Sequence, residues 1–370
     1  MGYIDCDTHV IESNETWDYF DPGEAHLRPL VSGDQWTVED HFMQWPGPMM
    51  RQWRDAVFPG CDLVDISGRI RRMDQFGVDV HVMFPTWSLL YQITSPAIEA
   101  AMHRSYNRWV AERTAESRGR LRWAAMVPVR TMPRALAELV YAKEHGAASV
   151  YLLGHNHGMS LSDPTMFPLY EKAQDLDLPI SVHVGGDLSV SRRQPGQLLH
   201  SGLMLVPSAF YAILKAGLPD RFPALRWSFM EAGSSWLPFV LQESYRSDFT
   251  GAFRSFTDWR ASAIEALGGK HMYIAAQMDD DLVGIIDLIG PDRLVYGTDY
   301  GHMDVGSDPD GMHVVLERPD LDRAVARKLV DENARRLFGI DPAFEPAPPP
   351  TLVEIPPETI ALGRPAHAFQ

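Results

Sequence analysis

Ile4-Asp5-Cys6-Asp7-Thr8-His9-Val10-Ile11, followed at once by Glu12, reads as a short buried strand that ends in metal-type donors. Side chains alternate faces with a period of two along a strand. Asp5, Asp7 and His9 are therefore expected on one side, with Cys6 on the other. A carboxylate and an imidazole converging near a strand end suit a divalent ion. Alone, the stretch reads equally well as an N-terminal strand whose Asp and His cap a neighbouring helix. The choice turns on whether the pattern recurs. His183 ends an apolar run before Gly185-Gly186, Glu231 ends another before Ala232-Gly233, and Asp299 ends a third before Tyr300-Gly301-His302. Strand ends that repeatedly close on Asp, His or Glu are hard to explain as core, and they point to one shared site.

The same recurrence sets the fold. Short apolar runs at 3–10, 78–84, 123–127, 148–153, 179–184, 225–231, 272–276 and 293–299 alternate with helix-like segments. The helix-like segments include 66–76, 95–115, 133–145, 168–176 and 322–337. Strands alternating with helices imply a parallel sheet. For 370 residues the expected architecture is an α/β protein of the closed (β/α)8 TIM-barrel type, with an open doubly wound sheet second. No glycine-rich phosphate loop follows the first run, which weakens the nucleotide-binding version of the open sheet. Residues 1–341 are expected to form the barrel domain. Within it, 13–62 is an insertion or lid after strand one, marked by Trp17, Trp36, Trp45 and Trp53. Residues 342–370 are Pro-rich and expected to be an extended tail.

Composition narrows the partners. The formal charge of −16 disfavours nucleic acid and anionic membranes, and no apolar run approaches the roughly 18 residues that a membrane helix needs. Cys6 and Cys61 are too few for a disulfide framework, so a reducing, cytoplasmic setting is expected. The aromatic insertion and the tail are large for a minimal barrel. They predict a homo-oligomer, or a hetero-oligomer with a homologous chain. The expected ligand is a small molecule.

Other polar residues have two readings each. Glu12 lies three residues past His9 and is either a helix cap or Arg partner, or a ligand to a second ion. His155 and His157 follow strand four at the rim and read as substrate-loop contacts or as metal donors. Arg51 and Arg54 read as carboxylate contacts for a substrate or as surface ion pairs. His81, inside strand two, reads as a satisfied barrel histidine.

Several stretches resemble the amidohydrolase-related family, which includes aminocarboxymuconate-semialdehyde decarboxylase and the resorcylate decarboxylases. They are Asp5-Cys6-Asp7-Thr8-His9-Val10-Ile11-Glu12, the segment 163–171, Leu178–His183, 221–225 leading to Glu231-Ala232-Gly233, Val295–His302 and Glu332–Gly339. The resemblance implies a metal-dependent hydrolase or lyase that acts on a small carboxylate or carbonyl compound, by hydrolysis or non-oxidative decarboxylation. It places the metal ligands on Asp7, His9, His183 and Asp299, and the catalytic groups on Glu231, Asp299 and His302. One divalent ion is implied, zinc first, with iron or manganese compatible with a carboxylate-rich set. A second ion on Glu12, Glu231 and His302 would make a dinuclear iron or manganese-iron oxygenase. A non-catalytic supporting subunit is the remaining alternative. Two departures stand out. Asp7 replaces the commoner His or Glu, and Glu231 stands where the decarboxylases carry a catalytic His. Strand four offers Tyr151 rather than the bridging lysine of some dinuclear relatives.

Overall fold

The computed structural model describes residues 2–32, 35–39, 41–44, 54–90, 93–186, 202–247, 258–302 and 307–346. Its strands are β1 (Tyr3–Val10), β2 (Leu30–Ser32), β3 (Gln35–Val38), β4 (His41–Gln44), β5 (Val78–Pro85), β6 (Leu121–Met126) and β7 (Ala147–Leu153). After them come β8 (His155–Asn156), β9 (Met159–Ser160), β10 (Ile180–His183), β11 (Trp227–Met230), β12 (Met272–Ala276) and β13 (Leu294–Tyr296). Eight of these form one sheet in the order β1-β5-β6-β7-β10-β11-β12-β13, with parallel pairings throughout. All eight runs read from the sequence are therefore barrel strands. They are rich in β-branched and aromatic residues and buried almost without exception, as a parallel sheet covered on both faces requires.

Closure comes from the loop after β13. Asp299 N donates to the Asp7 carbonyl at 2.9 Å, and His9 N donates to the Tyr300 carbonyl at 2.6 Å. Below them the Asp5 carboxylate accepts from Thr298 N at 2.9 Å and from Thr298 Oγ1 at 2.5 Å. The register of β1 against β5 shifts between Tyr3 and Ile4 and again between Asp5 and Thr8, and the Asp5 carboxylate is engaged at the closing seam. Asp7 and His9 are left facing the centre.

Local signals explain most helices. Asp65 caps Ile66–Gln75 by accepting from Gly68 N at 2.7 Å, and Ser95 precedes Pro96–Thr114 with proline in its first turn. The final helix holds a π-helical turn, Lys328–Glu332, between Arg323–Arg327 and Asn333–Phe338. It stops at Gly339, whose φ of +63° suits glycine. Leu205–Lys215, Leu237–Ser247, Asp258–Leu267 and Leu282–Ile289 are helices that the sequence reading left unassigned.

The insertion builds its own small core. β2, β3 and β4 form an antiparallel sheet, and Trp17, Trp36 and Trp87 pack together with Val38, Ile93 and Met102. The Trp17–Trp36 and Trp36–Trp87 ring centroids lie 4.9 and 5.1 Å apart. Trp45, Trp53 and the tail beyond residue 346 lie outside the described residues. Cys6 and Cys61 are both free and buried, and burial pushes the Cys61 thiol up to about 12. Both act as small core side chains.

The seam makes a test. Asp5→Ala leaves the buried Thr298 N–H without its acceptor, a loss of about 1–3 kcal/mol. The urea midpoint should fall accordingly, and less for Asp5→Asn, which keeps one acceptor. An unchanged midpoint for Asp5→Ala would show that the closure does not depend on this contact.

Candidate metal centre

β1 delivers Asp7 and His9, β10 ends in His183, and the turns after β11 and β13 carry Glu231 and Asp299. All five reach the carboxyl-terminal mouth of the barrel, where βα-loop chemistry is built. Glu231 and Asp299 have left-handed backbones, with φ of +59° and +54°. Non-glycine residues there are strained by about 1–3 kcal/mol and persist only when the surroundings hold them. The strained turn lets each strand end abruptly and swings its carboxylate over the mouth. Gly297 allows the approach, since a Cβ there would sit 2.3 Å from Asp7 Cβ.

The donor atoms crowd one another. His9 Nε2 lies 3.2 Å from Asp299 Oδ1, 3.6 Å from Asp7 Oδ1 and 3.8 Å from Glu231 Oε2. His183 Nε2 lies 3.3 Å from Asp7 Oδ1, and its Nδ1 lies 3.4 Å from Glu231 Oε2. Donors sharing one ion at 2.0–2.2 Å are separated by about 3.0–3.6 Å. Most of these spacings therefore match the edges of a coordination shell. Asp7, His9 and His183 form one group of potential ligands, and His9, Glu231, Asp299 and His302 form another that shares His9.

Hydrogen bonding supports the same fit. His183 Nδ1 lies 3.0 Å from the Val184 carbonyl and Nε2 lies 3.3 Å from Asp7 Oδ1; a hydrogen on Nδ1 leaves the Nε2 lone pair for an ion beside Asp7. His9 Nε2 and Asp299 Oδ1 are buried without a hydrogen bond. Burial drives the His9 imidazole well below its usual range, and the neighbouring His302 and His183 reinforce this. Burial also raises the Asp7 carboxyl, opposed by His183. Imidazole nitrogens turned toward buried carboxylates form a nest that a divalent cation neutralises. A cleft lined by Asp7, Glu231, Ala275, Gln277, Gly297 and Asp299 opens onto it.

The other sequence-derived residues fall in different places. His302 joins the centre, with Nδ1 at 2.8 Å from Asp299 Oδ1 and its ring stacked 3.7 Å from His9. Glu12 is buried but takes the capping role: its Oε2 accepts from Thr86 N at 3.3 Å and Trp87 N at 3.0 Å. Burial raises its carboxyl to about 7. His155 and His157 sit on the β8–β9 hairpin outside both donor groups, with His157 Nε2 3.3 Å from Glu99 Oε1. Arg51 lies outside the described residues, and Arg54 pairs with Asp55 at 2.7 Å. His81 is satisfied in the barrel by Arg69 Nε at 3.1 Å.

Two contributors escaped the sequence reading. Arg69, fully buried, donates to the His9 carbonyl at 2.9 Å and to Thr8 Oγ1 at 3.0 Å, bracing β1 from beneath. Thr86 places its hydroxyl between His9 and His302. Its place just past a barrel strand, after Phe84-Pro85, was the available signal.

The family model for amidohydrolases matches residues 4–340, and the chain belongs to that family. It is an enzyme of the metal-dependent hydrolase or lyase type, and its donor cluster suits a divalent ion. A 2-amino-3-carboxymuconate-6-semialdehyde decarboxylase of Dictyostelium discoideum is 21% identical over 353 residues, covering 92% of each chain. Among solved structures, an amidohydrolase of Mycobacterium avium subsp. paratuberculosis K-10 superposes with a TM-score of 0.73 at 19% identity, over 91% of this chain and 99% of that one. A dihydroxybenzoic acid decarboxylase of Polaromonas sp. JS666, with bound manganese and the inhibitor 2-nitroresorcinol, gives 0.67 at 19% identity, over 92% and 98%. These structural likenesses establish the barrel fold.

If the nest is the metal centre, His9→Ala should lose most bound metal while the circular dichroism spectrum stays unchanged. Elemental analysis of the purified variant checks this, and a wild-type metal content would place the ion elsewhere.

Proposed function

We propose that this chain removes carbon dioxide, without oxidation, from a small carboxylate substrate at the Asp7, His9, His183 and Asp299 centre. The observation that carries the reading is the donor cluster at the barrel mouth, in a chain whose relatives are named as decarboxylases. The Glu231 side chain is 14% exposed and lies against the nest, 3.4 Å from His183 Nδ1 and 3.8 Å from His9 Nε2. Loss of carbon dioxide breaks a carbon–carbon bond and leaves the electron pair on carbon, which then takes a proton. Glu231 is placed to hold that proton at the mouth, with His302 Nδ1 4.0 Å from its Oε1. Asp299 has a ligand's position and is held by Ser307 Oγ, which donates to its Oδ2 at 2.7 Å. A divalent ion on these donors supplies Lewis-acid polarisation of a substrate oxygen. The relatives named as decarboxylases support the same reaction.

Hydrolysis is the second reading. It is favoured by Glu231 itself, a carboxylate where decarboxylases of this kind carry His and well suited to taking a proton from water. The oxygenase reading is not carried further. The relatives above are named as decarboxylases or amidohydrolases, and Glu12 is engaged with Thr86 and Trp87. The relatives named as decarboxylases likewise speak against a non-catalytic subunit. Zinc is the proposed ion because two imidazoles and two carboxylates make a compact four-donor set. Manganese is the alternative for an oxygen-rich shell.

Purified, metal-loaded protein should release carbon dioxide from 2-amino-3-carboxymuconate-6-semialdehyde or from a dihydroxybenzoic acid. Glu231→Gln should keep the metal and lose about 10²–10⁴-fold in turnover. Cleavage of an ester or amide probe with no carbon dioxide released would replace decarboxylation by hydrolysis.

The barrel domain with its 13–62 lid is proposed to work as an oligomer, because the insertion exposes Leu30 at 76% and Val31 at 43%. Light scattering at micromolar concentration should give at least a dimer mass, and a monomer mass would refute the assembly. Cytoplasmic residence remains part of the proposal, on the strength of the two unpaired buried thiols. Cell fractionation would test it.

A further inference from the structure

The Thr86 hydroxyl contacts both stacked imidazoles of the centre, at the ring nitrogens opposite those that face Asp299. It donates its single proton to the Val10 carbonyl at 2.8 Å. Its oxygen then has only lone pairs to offer, and it lies 3.2 Å from His302 Nε2 and 3.5 Å from His9 Nδ1. A ring nitrogen facing an oxygen that can only accept must carry the hydrogen. With the Thr86 proton on Val10, His302 carries its hydrogen on Nε2, which leaves its Nδ1 lone pair for the centre. His9 is turned the opposite way round, with Nδ1 toward the hydroxyl and Nε2 toward the carboxylates.

We propose that His302 is a further metal-binding residue of this centre, entering through Nδ1, and that Thr86 is the positioning residue that selects this tautomer. The inference rests on the metal reading above and goes beyond the four ligands expected there. His302 Nδ1 lies 2.8 Å from Asp299 Oδ1, and together with His9 and Glu231 the two form a group of mutually close donors. Two acceptors at that distance repel unless a cation or a proton lies between them. One rival, a neutral ring protonated on Nδ1 with the Thr86 hydroxyl turned to Nε2, gives up the 2.8 Å bond to the Val10 carbonyl for a 3.2 Å contact. The other is a doubly protonated His302 paired with Asp299. That cation would stack 3.7 Å from His9, beside the site of a divalent ion, which disfavours it electrostatically. Glu12 completes the device, because its carboxylate accepts from Thr86 N and Trp87 N and fixes the turn that carries the hydroxyl. The buried Glu12 thereby acts on the centre without ligating in it.

The test uses the full chain labelled with ¹⁵N-histidine, first stripped of metal and then titrated with Zn²⁺. The ring signal that is missing in His302→Gln should show a hydrogen on Nε2 and none on Nδ1, and its Nδ1 should shift on Zn²⁺ addition. His302→Gln should weaken Zn²⁺ in competition with a chelator. Thr86→Val should mix the tautomers and weaken Zn²⁺ by about 10–100-fold, the range typical of lost outer-shell partners. Thr86→Ser, which keeps the hydroxyl, should restore both. A His302 ring protonated on Nδ1 and unmoved by Zn²⁺ would overturn the inference. So would wild-type Zn²⁺ affinity in His302→Gln. If Thr86→Val fails to fold, the His302→Gln and Thr86→Ser arms still decide. Substrate plays no part, so a failed decarboxylation assay with these signatures intact would count against the proposed function alone.

Discussion

The joint between β1 and the end of β13 is the contact on which the rest of the molecule depends. A parallel sheet has two free edges, and a barrel exists only if they meet. Here they meet through two backbone bonds, from Asp299 N to Asp7 O and from His9 N to Tyr300 O, with the Asp5 carboxylate gripping Thr298 below. The residues that make these bonds are the donors themselves or their immediate neighbours. Closing the barrel and assembling the centre are therefore one event. Gly297 belongs to the same constraint, since the two backbones come too close for any side chain there.

The joint concentrates ionisable groups where water is scarce. Asp5, Asp7, His9, Glu12, Arg69, His183 and Asp299 are all buried. Each is either hydrogen-bonded or turned toward the centre. Asp5 and Glu12 accept from backbone amides, and Arg69 donates to β1 and His81, so these three are satisfied within the protein. Burial raises the Asp5 carboxyl to about 7, against the pull of Thr298. Asp7, His9, His183 and Asp299 differ, because their donor atoms converge on one another and His9 Nε2 and Asp299 Oδ1 have no hydrogen bond. Buried acceptors left facing each other cost free energy unless a cation joins them. The strained backbones of Glu231 and Asp299 fit that picture, since strain is retained where a site needs a particular projection.

The layers around the centre follow simpler rules. Trp17, Trp36 and Trp87 give the insertion a separate apolar core, anchored by Met102 on the helix that follows β5. This answers how a long segment between β1 and β5 can be ordered without joining the barrel core. Thr86 and Trp87 lie at the boundary. One side chain faces the histidines and the next faces the tryptophan cluster, while the same carboxylate of Glu12 holds both amides.

The sequence alone determined the eight barrel strands, because each is a short apolar run bounded by Pro, Gly or a polar end, and such runs need no distant information. It also marked Asp7, His9, His183, Glu231 and Asp299, because a charged residue closing a buried run is anomalous wherever it occurs. The helices Leu205–Lys215 and Leu282–Ile289 escaped notice because they are apolar along most of their length, and a short apolar run does not by itself separate helix from strand. Only the tertiary structure decided between the two readings of Glu12, turned Asp5 from the centre to the seam, and gave Thr86 and Arg69 their places. These assignments depend on which amides, carbonyls and rings lie within about 3 Å of a side chain. Their partners are up to 293 residues away along the chain, as for Asp5 and Thr298, and proximity of that kind arises only when the barrel closes.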